Sequence, residues 1–217
     1  MERSSNDEIV REVVIGPMRL EGALDVPPGA SGFVIFAHGS GSSRFSPRNN
    51  FVARQLRDRG MGTLLFDLLT EPEAADRRNV FDIPLLAERV VEAIAWARDE
   101  EDVAGLPLGL FGASTGAAAA LVAAANAPDS VKSVVSRGGR PDLAHGALPR
   151  VKAATLLIVG GADYGVIELN EAAYAELACE KRLEIVPGAT HLFEEPGKLD
   201  IVVGLAADWF EAHLAGV

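Results

Sequence analysis

The chain is short of cysteine, of basic residues and of long apolar runs, and each shortage excludes something. Cys179 is the single cysteine, so no internal disulfide can form. That fits a reducing compartment, and Cys179 reads as a small packed residue. Lys and Arg number 20 against 31 Asp and Glu, a net charge of −11. A surface that negative repels phosphate backbones, so nucleic acid is not an expected partner. No stretch reaches the ~18 apolar residues of a membrane span, and the small-residue run at 116–127 reads as a buried helix. The opening MERSSNDEIV has no apolar core of a secretory signal. The expectation is a cytoplasmic protein with no membrane partner. Four histidines give no His-rich ligand set, and no Gly-x-x-x-x-Gly-Lys phosphate loop is present, so neither a metal nor a cofactor is expected.

What the chain does have is a large apolar fraction, 48% of 217 residues, enough for one domain spanning 1–217. Two runs at 10–15 and 18–24 flank Gly16-Pro17, which predicts a hairpin. Residues 33–37 are continuously apolar, as in a strand buried on both faces. Further strands are expected at 63–69, 108–111, 131–135, 154–159 and 183–186. Helical spacing falls at 48–60, 85–97, 166–177 and 198–214, with another helix after residue 114. Residues 70–79 read as loop. Strands separated by helices make a mostly parallel sheet of about eight strands, covered on both faces. In such sheets ligands bind beyond the carboxyl ends of the strands. His38, Gly39 and Ser40, then Asp67, Ser114, Arg137, Asp163 and His191, occupy those ends.

Ser114 is the informative member. It sits in Gly112-Ala113-Ser114-Thr115-Gly116, between a strand and a helix. A tight turn there lifts a hydroxyl out of the sheet and needs small neighbours, because strand and helix approach closely. The same string also serves a plain strand–helix turn with Ser as helix cap. A serine hydroxyl becomes a nucleophile only beside a base. His191, on the loop after the last strand, is the candidate. His145 lies in an irregular surface stretch and His213 on the face of the last helix. An acid must orient the imidazole. Asp163, after the strand at 154–159, is the first choice, with Glu168 and Asp142 as rivals. The order Ser, Asp, His is that of α/β-hydrolase sheets.

The segments AHGSGSS at 37–43, GASTG at 112–116, LLIVGGAD at 156–163 and GATHLFEEPG at 188–197 together resemble the α/β-hydrolase superfamily. Within it, the chain is similar to compact dienelactone hydrolase-like proteins. The resemblance implies a nucleophile at Ser114, an acid at Asp163 and a base at His191. It implies oxyanion donors at the amides of Ser40 and Thr115, with His38 packed beneath the loop. Dienelactone hydrolases carry a cysteine nucleophile where this chain has serine, so a serine esterase acting on small esters, thioesters or lactones is expected. The alternative is a non-enzymatic relative that binds a small ligand. Only 48 residues separate Ser114 from Asp163, too few for a large lid. Arg44, Arg48, Arg137 and Arg140 lie near the same edge. They suit either an anionic substrate group or salt bridges to nearby acids.

Overall fold

The computed structural model describes residues 10–214. It opens with strands β1 (Arg11–Ile15) and β2 (Leu20–Asp25), paired antiparallel around a turn closed by Arg19 N–H donating to the Gly16 carbonyl. Then follow β3 (Gly32–Ala37), α1 (Pro47–Asp58), β4 (Met61–Phe66), the short α2 (Glu71–Ala74) and α3 (Ile83–Asp99). The second half runs β5 (Leu108–Ala113), α4 (Thr115–Asn126), β6 (Val131–Arg137), β7 (Ala154–Gly160), α5 (Val166–Glu176), β8 (Lys181–Val186) and α6 (Lys198–Leu214). The strands form one sheet in the order β1-β2-β4-β3-β5-β6-β7-β8. From β4 to β8 every pairing is parallel, while β2 meets β4 antiparallel.

The central strands are apolar throughout because both of their faces are covered. Ile35 and Leu110 belong to a core packed under α3 and α4, while Val34, Phe36 and Phe111 belong to a second core under α1 and α6. Alternate residues of one strand therefore feed different cores, as the period of two requires. The hairpin and β8, at the edges, bury only part of their residues.

Two expectations are corrected. The strand predicted at 63–69 leaves the sheet after Phe66, because the next amides find other acceptors: Asp67 N–H donates to the Glu21 carbonyl and Leu68 N–H to the His38 ring. The loop predicted at 70–79 contains α2. Its first turn is closed by Thr70 and Glu73, each side chain bonding the other's backbone amide, a capping box. Between β6 and β7 only single helical turns intervene, at Pro141–Ala144 and Leu148–Arg150. The carboxyl edge near Ser114 therefore carries no inserted lid among the described residues.

Candidate active site

The site is built at the carboxyl ends of β3, β5, β6 and β7. Ser114 follows β5 directly and has φ 53° and ψ −122°, a conformation that costs a non-glycine residue about 1–3 kcal/mol. Neighbouring backbone holds it there. Ser114 N–H donates to the Arg137 carbonyl, and the Ser114 carbonyl accepts from the amides of Ala117 and Arg140. The glycines on either side are sterically required. A Cβ on Gly112 would strike the backbone of Ala117, and one on Gly116 would land on the carbonyl oxygens of Ala37 and His38. The helix N-terminus that begins at Thr115 thus presses against the end of β3.

His191 lies on the loop after β8, and its Nε2 stands 3.3 Å from Ser114 Oγ. Its Nδ1 is 2.7 Å from Asp163 Oδ2. Asp163 sits on the turn between β7 and α5, where its amide donates to the Gly160 carbonyl. The three side chains form one continuous chain of hydrogen bonds, from the carboxylate through the imidazole to the hydroxyl. Of the rival acids, Asp142 accepts from Arg140 Nε and Nη2 along one edge of the guanidinium, at 2.8 Å each, and Glu168 is exposed on the first turn of α5. His145 is exposed. His213 stacks on Trp209, 4.2 Å between ring centres. Cys179 is half-buried against the core.

The loop after β3 closes over the serine. Gly39 lies so near that a Cβ there would sit 3.0 Å from Ser114 Cβ. His38 donates from Nδ1 to the Gly39 carbonyl and accepts from Leu68 N–H at Nε2. Burial holds its pKa below the ordinary histidine value, so it is a neutral prop for the loop. The Ser40 amide is not open: it donates to Thr115 Oγ1 at 2.9 Å.

The four arginines separate into two kinds. Arg44 is held between Asp67 and Glu21, Arg48 pairs with Glu194 and Arg140 with Asp142. Arg137, the last residue of β6, is 6% exposed, and among the described residues its guanidinium makes one hydrogen bond, to Asn49 Oδ1 at 3.4 Å. Desolvation, with repulsion from Arg48, lowers its pKa to about 10.

Two supports were missed in the sequence. Asn170, fully buried on α5, donates to the carbonyls of Gly139 and Val166. It thereby ties the helix behind Asp163 to the loop that holds Ser114. Glu195 accepts from the amide and hydroxyl of Thr190, closing the loop that carries His191. The Thr190 hydroxyl, chiefly, keeps the Glu195 carboxyl below the usual range. The place of Asn170 in register with Val166, Ala173 and Leu177, the apolar stripe of this helix, was the available signal.

Known proteins share the overall fold. The chain is 55% identical to the crystal structure of a dienelactone hydrolase from Anabaena variabilis, covering 96% of this chain and 98% of that one with a TM-score of 0.92. It belongs to the dienelactone hydrolase family of α/β-hydrolases. An α/β serine hydrolase without a lid from Xanthomonas campestris shares the fold, with 22% identity over the whole of both chains and a TM-score of 0.77. A protein of Mycobacterium tuberculosis named a putative phosphoribosyl transferase is 57% identical over 205 residues, which are 94% of this chain and 46% of that protein. The chain thus spans about half the length of the curated relatives it matches. No family model matches the chain.

Proposed function

We propose that this dienelactone hydrolase relative is a serine hydrolase that cleaves small carboxylic esters, thioesters or lactones through an acyl-enzyme on Ser114. The observation that carries this reading is the Asp163–His191–Ser114 chain of 2.7 and 3.3 Å contacts. His191 Nε2 takes the Ser114 proton as Oγ attacks the substrate carbonyl. The carbonyl oxygen becomes an oxyanion beside the N-terminus of α4, where amides of the first turn have no intrahelical acceptor. As the tetrahedral intermediate collapses, His191 gives that proton to the departing alcohol, thiol or ring oxygen. Water then attacks the acyl carbon while His191 takes its proton; the second tetrahedral intermediate collapses as His191 returns that proton to Ser114 Oγ, and the carboxylic acid leaves. Asp163 holds the Nδ1–H toward itself and stabilises the imidazolium. Serine at the position held by cysteine in dienelactone hydrolases favours esters at large. The cavity of about 500 Å³ beside the oxyanion loop, lined by Leu20, Phe45, Leu69 and Val80 among others, is the place for the substrate body.

The transferase name belongs to a relative more than twice the matched length, whereas the serine, imidazole and carboxylate above lie wholly within this chain. The test is hydrolysis of p-nitrophenyl butyrate and labelling by a fluorophosphonate. The wild type should turn over the ester and be labelled on the peptide containing Ser114, and Ser114→Ala should lose both while keeping its Tm. A wild type that neither hydrolyses nor labels would favour a ligand-binding relative, and full activity in Ser114→Ala would refute the nucleophile.

A further inference from the structure

The Ser40 amide and the Thr115 side chain do not stand apart as two parts of an oxyanion hole. They are bonded to each other. Ser40 N–H points at Thr115 Oγ1, 2.9 Å away. An amide carries one proton, and this one is in use. A threonine hydroxyl carries one proton and two acceptor lone pairs. Ser40 occupies a lone pair, so the hydroxyl proton is left to donate, and among the described residues no acceptor takes it. Thr115 is 4% exposed, held between the elbow and the loop that Gly39 brings within 3.0 Å of Ser114 Cβ. Its hydroxyl is therefore held by the Ser40 amide, one residue along the chain from the nucleophile.

We infer that the Thr115 hydroxyl is the second oxyanion donor, beside the Thr115 amide, and that the Ser40 amide acts through it as a positioning group. Donation from Ser40 N–H does two things. It fixes the hydroxyl rotor so that its proton faces away from Ser40. It also polarises the O–H bond, which strengthens donation to a developing negative charge. One residue would then supply both hydrogen bonds to the oxyanion. This rests on Ser114 being the nucleophile.

The test compares Thr115→Val, which keeps the shape and loses the hydroxyl, with Thr115→Ser, which keeps the hydroxyl. Losing an oxyanion donor costs about 100- to 1,000-fold in kcat. Thr115→Val should show that loss on p-nitrophenyl butyrate with KM nearly unchanged. Its inhibition by a trifluoromethyl ketone, which forms a tetrahedral oxyanion on the serine, should weaken in parallel. Thr115→Ser should stay within several-fold of wild type in both. If Thr115→Val keeps or raises kcat, the freed Ser40 amide is itself the donor and the inference is overturned. Equal loss in Val and Ser variants overturns it too, because the hydroxyl is then not what matters. Should Thr115→Val fail to fold, Thr115→Ala carries the same pair of expectations. Activity that survives Ser114→Ala would instead remove the underlying nucleophile assignment, and that result is separable from all of these.

Discussion

At the scale of single residues the sharpest contrast is between charges that are answered and one that is not. Arg44, Arg48 and Arg140 each reach a carboxylate, while Arg137 is buried with a single long bond to an amide oxygen. A base whose pKa falls from the ordinary arginine range to about 10 in the folded state binds its proton less tightly folded than unfolded. The unfolded state then holds more protons from about pH 10 upward to the ordinary arginine range, so stability rises across that window and the full penalty is present below it. Removing the charge should help. Replacing a buried, poorly compensated ion by an apolar side chain of similar length is often neutral or stabilising by about 1–4 kcal/mol. Arg137→Met should therefore raise Tm at pH 8, by roughly 2–4 °C for each kcal/mol in a chain of this size. A lower Tm in calorimetry would mean that the guanidinium is compensated after all. Ser114, Asp163 and His191 were legible in the sequence because each follows a strand of unmistakable composition, and strand ends converge. The Ser40–Thr115 bond was not, since it depends on how closely a loop and a helix N-terminus 75 positions apart approach.

Among elements, the strands were the easiest to read. Runs such as GFVIFA and ATLLIVG are wholly buried, and only a strand covered on both faces accepts that composition at that length. The short α2 escaped because it has four residues, none of them buried. A cap without a hydrophobic face gives no periodicity to see. Glycines mark where elements crowd. On α4, Gly116 faces the carbonyls that end β3, and backbone cannot yield as a side-chain tip can. Gly116→Ala should destabilise by at least ~1–3 kcal/mol, the range for overpacking, and should also displace the oxyanion loop. On α6, Gly204 has open space where a Cβ would go. There the same substitution removes only the entropic cost of glycine in a helix, so Gly204→Ala should stabilise by about 0.5–1 kcal/mol. Urea titrations of the two variants check this directly: shifts of the same sign would show that the close contact at Gly116 does not govern its stability.

For the whole molecule, the governing quantity is charge. A net charge of −11 sets a negative field around the site, and the local side chains do little to reverse it. Around the cavity beside the oxyanion loop, Glu21, Asp67 and Glu71 face Arg19 and Arg44, and Arg44 is already taken by two of those carboxylates. A substrate carrying a carboxylate in its acyl part should meet repulsion on approach and find there only Arg19 against three carboxylates, Arg44 being engaged. A neutral ester of the same size meets neither. The expected outcome is a lower kcat/KM for the p-nitrophenyl monoester of succinic acid than for p-nitrophenyl butyrate at low salt. Salt shortens the reach of the field, to about 10 Å at 0.1 M and about 3 Å at 1 M. The gap should accordingly narrow as ionic strength rises, through a gain for the anionic ester, while the neutral ester stays level. Stopped-flow or steady-state rates across a sodium chloride series would measure both slopes. Faster turnover of the anionic ester at low salt, falling as salt is added, would show that a local cation outweighs the global field. Arg137, buried beside Arg48 without a carboxylate of its own, would then be the first residue to replace.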